Sequence, residues 1–224
     1  MRNLKLLLSL CVICLFFVSC ANKKSLTRVS QYPNIYKEKP VSIVIMPPIN
    51  KTNFVEVKEY FYASMYKVLA EKGYYVFSPY LAMDLFKSES AYDSELFIKG
   101  SLKPFRNIIG ADLAIFTIIN KWEKQTLLNK ITVNIEYIIR STRTGEILFN
   151  RKGELTISEK SSSGISILDM AANILTTALT DKIIVARKCN NIVLQDLPEG
   201  KYGLNYEKDQ NVSVGNKEIN LKLN

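Results

Sequence analysis

An ordered run of elements between Val41 and Ser78 constrains the fold of this 224-residue chain more than any other feature. Val41 to Met46 is a compact apolar stretch rich in β-branched residues and closed by Pro47-Pro48, the pattern of a buried strand that stops at a sheet edge. A helix is expected from Phe54 to Lys72, because Phe54, Val57, Phe61, Met65, Val68 and Leu69 recur at helical spacing. Asn53 is the expected N-cap, Glu56 its capping-box partner, and Gly73 a left-handed stop. A second strand, Tyr74 to Ser78, follows at once. Strand, helix, glycine and strand in that order make a βαβ unit, whose right-handed crossover pairs the two strands in parallel.

The rest of the chain extends this sheet. Leu81, Leu85 and Phe86 give Tyr80–Lys87 helical spacing, and Glu95–Ile109 reads as one or two short helices interrupted at Pro104. Leu113 to Ile119 is almost wholly apolar, as a central strand covered on both faces must be, and is expected beside the first strand. Ile131, Val133, Ile135, Tyr137 and Ile139 alternate with polar residues, and Thr144-Gly145 offers a turn before Glu146–Ile157. That is a β-hairpin with one buried face. Ser166–Arg187 carries Leu168, Ala171, Leu175, Ala178, Leu179 and Ile183 on one stripe, a long amphipathic helix suited to closing the sheet. The expected architecture is α/β: a mixed sheet of about five strands, with a parallel βαβ start and an antiparallel hairpin, flanked by helices.

The amino terminus carries a different signal. Arg2 and Lys5 precede the uncharged run Leu6–Val18, the charge and length pattern of a signal peptide over residues 1–19. About 13 residues rise only ~20 Å as a helix, short of the ~30 Å that a membrane span must cross. Phe17-Val18-Ser19-Cys20 resembles the bacterial lipobox, with Phe17 where leucine is usual, and it makes Cys20 the expected site of lipid attachment. Acyl chains on one residue hold a folded domain at a bilayer without a protein span. Residues 20–40 are polar, basic and poor in periodicity, and read as a lipidated tether; 41–203 form the α/β domain and 204–224 a C-terminal tail. Ala21 after the cysteine is compatible with outer-membrane sorting, and Asn22-Lys23-Lys24 lacks an acidic surface-exposure signature, so the expected location is the outer membrane facing the periplasm.

Composition removes several chemistries. With no histidine there is no Ser-His-Asp triad, no Cys-His pair and no histidine-ligated zinc. The nine glycines are scattered, so no phosphate-binding loop is present. Cys11 and Cys14 leave with the leader, and Cys189 remains as a quiet buried thiol near a helix end or, in the sharper reading, an intermolecular bridge; no disulfide framework is available. The formal charge of +9 is spread along the chain, which favours a solvated surface; attraction to anionic lipid headgroups or cell-wall polymers is the weaker reading, and nucleic acid is not expected outside the cytoplasm. No cofactor or metal site is expected. Two places merit weighing for binding. Asn50, Thr52 and Asn53 lie in the loop after the first strand, where open α/β sheets often take ligands. Tyr60, Tyr62 and Tyr66 fall partly off the core stripe of the first helix and suit a protein interface.

Four motifs, in order, carry a family resemblance: Met46-Pro47-Pro48-Ile49-Asn50-Lys51-Thr52, Glu71-Lys72-Gly73-Tyr74-Tyr75-Val76, Gly110-Ala111-Asp112, and Arg143-Thr144-Gly145-Glu146-Ile147-Leu148. Leu197–Gly203 matches a closing segment. Together they resemble the bacterial lipoproteins of unknown function related to a neisserial surface lipoprotein, with a more distant likeness to the TolB amino-terminal domain and to CsgG. The resemblance covers about Val41 to Gly203 and implies an envelope accessory protein working in export or envelope assembly with a CsgG-like partner. It implies no catalytic residue. The leading expectation is therefore a non-enzymatic, lipid-tethered module that self-associates or docks with another envelope component. The alternatives are an envelope hydrolase on cell-wall polymer or glycan, and a periplasmic domain binding a small ligand or peptidoglycan.

Overall fold

In the computed structural model, residues 26–88, 92–128, 130–158 and 182–223 are described. The expected signal peptide, the expected lipidation site Cys20, the start of the expected tether and residues 166–181 of the expected last helix lie outside them.

Strand β1 (Ser42–Ile45) stops where Pro47 and Pro48 remove two backbone donors, and the short β2 (Ile49–Asn50) resumes beyond them. Helix α3 (Val57–Glu71) returns the chain to β3 (Tyr75–Val76), which pairs with β1 in parallel, Ser42 opposite Tyr75. Two shorter helices precede this unit, α1 (Arg28–Gln31) and α2 (Pro33–Glu38). Helices α4 (Pro79–Ser88) and α5 (Ser94–Ile98) and a π-helical turn at Phe105–Ile109 follow it. The long strands β4 (Leu113–Gln125), β5 (Lys130–Ser141) and β6 (Ile147–Ser158) come next, then α6 (Lys182–Val193) and β7 (Glu218–Leu223).

The strands form one mixed sheet of seven in the order β3-β1-β4-β5-β6-β7, with β2 also paired to β4. β4 lies beside β1 in parallel, as its apolar run requires, and β4-β5-β6 is antiparallel. The two strands beyond the expected five are β2, only two residues long, and β7, in the segment read as a tail. β7 adds in parallel to β6, Glu218 opposite Lys152.

The sheet has two unequal covers. On one face Ile43, Ile45, Leu113, Ile115 and the alternating Ile131, Val133, Ile135, Tyr137 and Ile139 pack under α3 and α6. On the other face Val44, Met46, Ala114 and Phe116 pack against Ala82, Phe86, Leu102 and Phe105 from the α4, α5 and π-turn layer. That second layer covers β1 and β4, while Asn134, Glu136, Lys152 and Glu154 of β5 and β6 keep the remainder of the face polar.

Several boundaries differ from the sequence reading. The tether expected to reach residue 40 is folded from Thr27 onward: Thr27 and Ser30 form a capping box on α1, Tyr32 stacks 4.7 Å from Phe149, and Ile35 is buried. Each of these helices is too short to show a period, so its single anchor was invisible. Helix α3 begins at Val57 rather than Phe54. Asn53 is exposed, and Glu56 occupies the N-cap with no side-chain cap bond. Gly73 does stop the helix with φ +80°, and its bareness has a second cause: a Cβ there would sit 2.1 Å from the backbone nitrogen of Gly203. The closing segment docks at this point, Gly200 N donating to Lys72 O at 2.8 Å and Tyr202 N to Gly73 O at 2.9 Å. Gly145, φ +77°, makes the turn between β5 and β6.

Candidate functional site

The second cover leaves a groove. Leu85 and Phe86 of α4, Phe97 of α5, Pro104 just before the π-turn, and Phe105, Ile108 and Ile109 within it line about 260 Å³. Not one lining side chain carries a charge or a hydrogen-bonding group. Its floor is a set of aromatic edges: the Phe105 ring lies 5.6 Å from Phe86 and 5.0 Å from Phe97, both near perpendicular. On the same elements Leu81 of α4 and Leu96 of α5 are each 66 % exposed, and Ile108 of the lining is 59 % exposed. An apolar hollow on elements that also expose leucine and isoleucine matches what interface cores bury.

Short elements this far from the main core need ties, and four polar side chains supply them. Asp93 caps α5 by accepting from Glu95 N at 3.0 Å, and Ser94 Oγ donates to Pro47 O at 2.6 Å, pinning α5 to the end of β1. Arg140 reaches from β5 to the other end of α5. Its Nη1 donates to the carbonyls of Phe97, Ile98 and Gly100 at 2.9, 3.1 and 3.0 Å, while Nε and Nη2 hold Gly145 O in the hairpin turn. A guanidinium at a helix carboxyl end satisfies orphan carbonyls and meets the negative end of the dipole. Asp112, at the foot of β4, accepts from Val41 N, Ser42 N and Ser42 Oγ and pairs with Arg106 of the π-turn at 3.3 Å. Partial burial alone would raise its pKa, but these bonds outweigh that and hold it below the ordinary carboxylate value.

The places singled out in the sequence lie elsewhere. Asn50 Oδ1 accepts from Thr52 N and Thr52 Oγ1 at 2.9 and 2.8 Å, Asn50 Nδ2 donates to Phe54 O, and Thr52 Oγ1 accepts from Phe54 N. Asn50 and Thr52 thus turn their polar atoms on the loop itself, and Asn53 alone is exposed. The three tyrosines separate: Tyr62 is 7 % exposed with its hydroxyl on Pro79 O at 2.7 Å, Tyr60 is half-buried 6.3 Å from Trp122, and Tyr66 is 45 % exposed. Cys189 is a free thiol, wholly buried on α6, and burial pushes its pKa up to about 12. No cluster of three or more His, Cys, Asp or Glu side chains able to hold a metal exists among the described residues.

Two polar clusters had no sequence signal. Tyr137 donates to Asn190, and Asn190 Nδ2 to Ser64 Oγ at 2.9 Å, linking β5, α6 and α3 through the core. Beyond β6, Arg28 pairs with Asp209 at 2.7 Å and Arg151 with Asp196 at 2.7 Å, all four side chains nearly or fully buried. Asp209 also accepts from Tyr36 Oη and Glu199 N, and Asp196 from Gly215 N. These bonds clasp the first helices to the last loop.

The model of the GNA1162-like lipoprotein family matches residues 30–195, more than half of the chain. The chain belongs to this family. The lipoprotein NMB1124/NMB1162 of Neisseria meningitidis serogroup B is 24 % identical over 156 residues, covering 67 % of this chain and 73 % of the relative. The crystal structure of lipoprotein GNA1162 from Neisseria meningitidis superposes with a TM-score of 0.50 at 22 % identity, over 64 % of this chain and 98 % of that one. A looser likeness, TM-score 0.44 at 13 % identity, is to a PelC dodecamer from Paraburkholderia phytofirmans, over 78 % of this chain and 92 % of that one. A GNA1162-like lipoprotein is held in the cell envelope by lipid, and no helix among the described residues is long and apolar enough to cross a membrane.

Proposed function

We propose that this GNA1162-like lipoprotein is a non-enzymatic docking module of the cell envelope, tethered by lipid on Cys20 and engaging a partner protein through the α4–α5 groove. The observation that carries the reading is the groove's lining. Its seven side chains offer apolar area and no acid, base or nucleophile, so the hollow suits the anchor side chains of another protein rather than a reacting substrate. Exposed Leu81, Leu96 and Ile108 extend the same surface, and Arg140 keeps it in shape before the partner arrives. The likeness to CsgG read from the sequence favours an export or envelope-assembly component as that partner, with a second copy of this chain as the other occupant.

One experiment addresses anchor and groove together. The full chain is expressed in its native envelope with a photo-crosslinking phenylalanine analogue at Ile108 and is fed radiolabelled palmitate. The expected outcome is label in the protein, lost in Cys20→Ala, and a discrete light-dependent adduct that Leu96→Asp abolishes. Unlabelled protein that keeps its first nineteen residues overturns the anchor. A monomer that gives no adduct under several growth conditions overturns the groove.

A further inference from the structure

The far end of the sheet carries a feature that neither the core nor the groove uses. Strands β4 and β5 meet in a 3₁₀ turn at Thr126–Leu128, and Leu127 at its tip is 101 % exposed. A turn of this kind ordinarily takes Gly, Asn, Asp or Ser, which serve its backbone and leave no apolar area in water. Here the connection reads Thr126-Leu127-Leu128-Asn129, so one such residue is present, yet two leucines in succession stand before it.

Strand register sets cations around that tip. The last rows of the ladder run Gln125–Lys130–Ser158, then Lys124–Ile131–Ile157–Leu223, then Glu123–Thr132–Thr156–Lys222. Lys124 and Lys222 are exposed and Lys130 is half-buried. None of the three pairs with a carboxylate among the described residues, whereas the acid in these rows, Glu123, is already matched by Lys121 at 3.2 Å. A bare leucine inside a collar of lysines is the chemistry of a shallow membrane contact. The apolar side chain enters the boundary between headgroups and acyl chains, and the ammonium groups reach lipid phosphates on flexible stems.

We infer that the β4–β5 hairpin tip is a second membrane contact, with Leu127 entering an anionic bilayer and Lys124, Lys130 and Lys222 meeting its phosphates. The inference rests on the lipid-anchored reading for bringing the domain to a bilayer, and it is independent of the groove. It gives the tethered domain an orientation. With the tip down, the long strands stand steeply on the membrane, and the groove, on a face of the sheet, points sideways to a partner.

The test uses the full lipidated chain, with a polarity-sensitive NBD dye on Leu127→Cys or, as control, on Leu204→Cys. Leu204 is 92 % exposed beside Gly203, at the opposite end of the sheet, and the native Cys189 is buried. Protein is floated with vesicles of phosphatidylcholine containing a minority of phosphatidylglycerol and lipid-borne nitroxide quenchers. The expected result is a blue-shifted emission at 127, quenched several-fold more than at 204, and weakened by K124Q/K130Q/K222Q or by omitting phosphatidylglycerol. Protein that floats while the dye at 127 stays as aqueous as at 204 overturns the tip contact and leaves the anchor standing. Protein that does not float overturns both. A blue shift without quenching from the lipid also overturns the contact, since it reports burial against protein.

Discussion

Asp112 shows how much one side chain can hold at the foot of the sheet. Its carboxylate joins the first residues of β1 to the start of β4 and to Arg106. Since its folded pKa lies below the unfolded value of about 3.9, its contribution is present above that value and is lost as pH falls through the lowered one. Asp112→Asn is expected to cost roughly 1–2 kcal/mol at neutral pH, as hydrogen bonds to a charged group do when part-exposed. The gap between wild type and variant should close below about pH 4 in denaturant titrations. A gap that persists undiminished in acid assigns the loss to shape rather than charge. The sequence placed Asp112 in a family motif, but its bonds go to residues about 70 positions earlier, beyond any local pattern.

Among the elements, α5 depends on a neighbour in sequence-distant β5. It is five residues long, too short to persist alone, and Arg140 meets the carbonyls around its last turn. Arg140→Met keeps the stem and removes the donors, leaving the carbonyls of Phe97, Ile98, Gly100 and Gly145 short of a partner at a cost of about 2 kcal/mol. Amide hydrogen exchange should speed up over residues 94–100, the adjoining π-turn and the Gly145 turn, with the β5–β6 ladder away from that turn unchanged. Uniform acceleration through the sheet would show instead that Arg140 serves the whole fold. The periodicity of α3, α4 and the β5–β6 hairpin was legible because each repeats an apolar contact several times, and Pro104 marked the break between α5 and the π-turn; α1 and α2 make one or two contacts each and leave no rhythm to read.

For the whole molecule, the clasp at Arg28–Asp209 and Arg151–Asp196 holds the first helices and β6 to the loop that leads into β7. Arg28 and Asp209 are 181 residues apart in sequence. Breaking a buried pair strands the remaining charge, so Asp209→Asn is expected to destabilise by about 3–5 kcal/mol. Limited proteolysis should then cut first near residues 26–40 and 204–217, with the hairpin strands surviving longer. Loss of all segments at one rate would mean that the clasp is no more local than the core.

What the sequence determined by itself were the properties that repeat along the chain or mark its turns: the βαβ start, the alternating hairpin, the helix stop at Gly73, the turn at Gly145, and the family motifs. Each is written in spacing of two or about 3.6 residues, or in a backbone angle that glycine adopts most readily. Tertiary structure alone decided the groove, the Arg140 tie, the clasp and the placing of β7 at the sheet edge. These join single residues from distant segments, and a lone arginine or phenylalanine has no period until the folded chain brings its partner beside it.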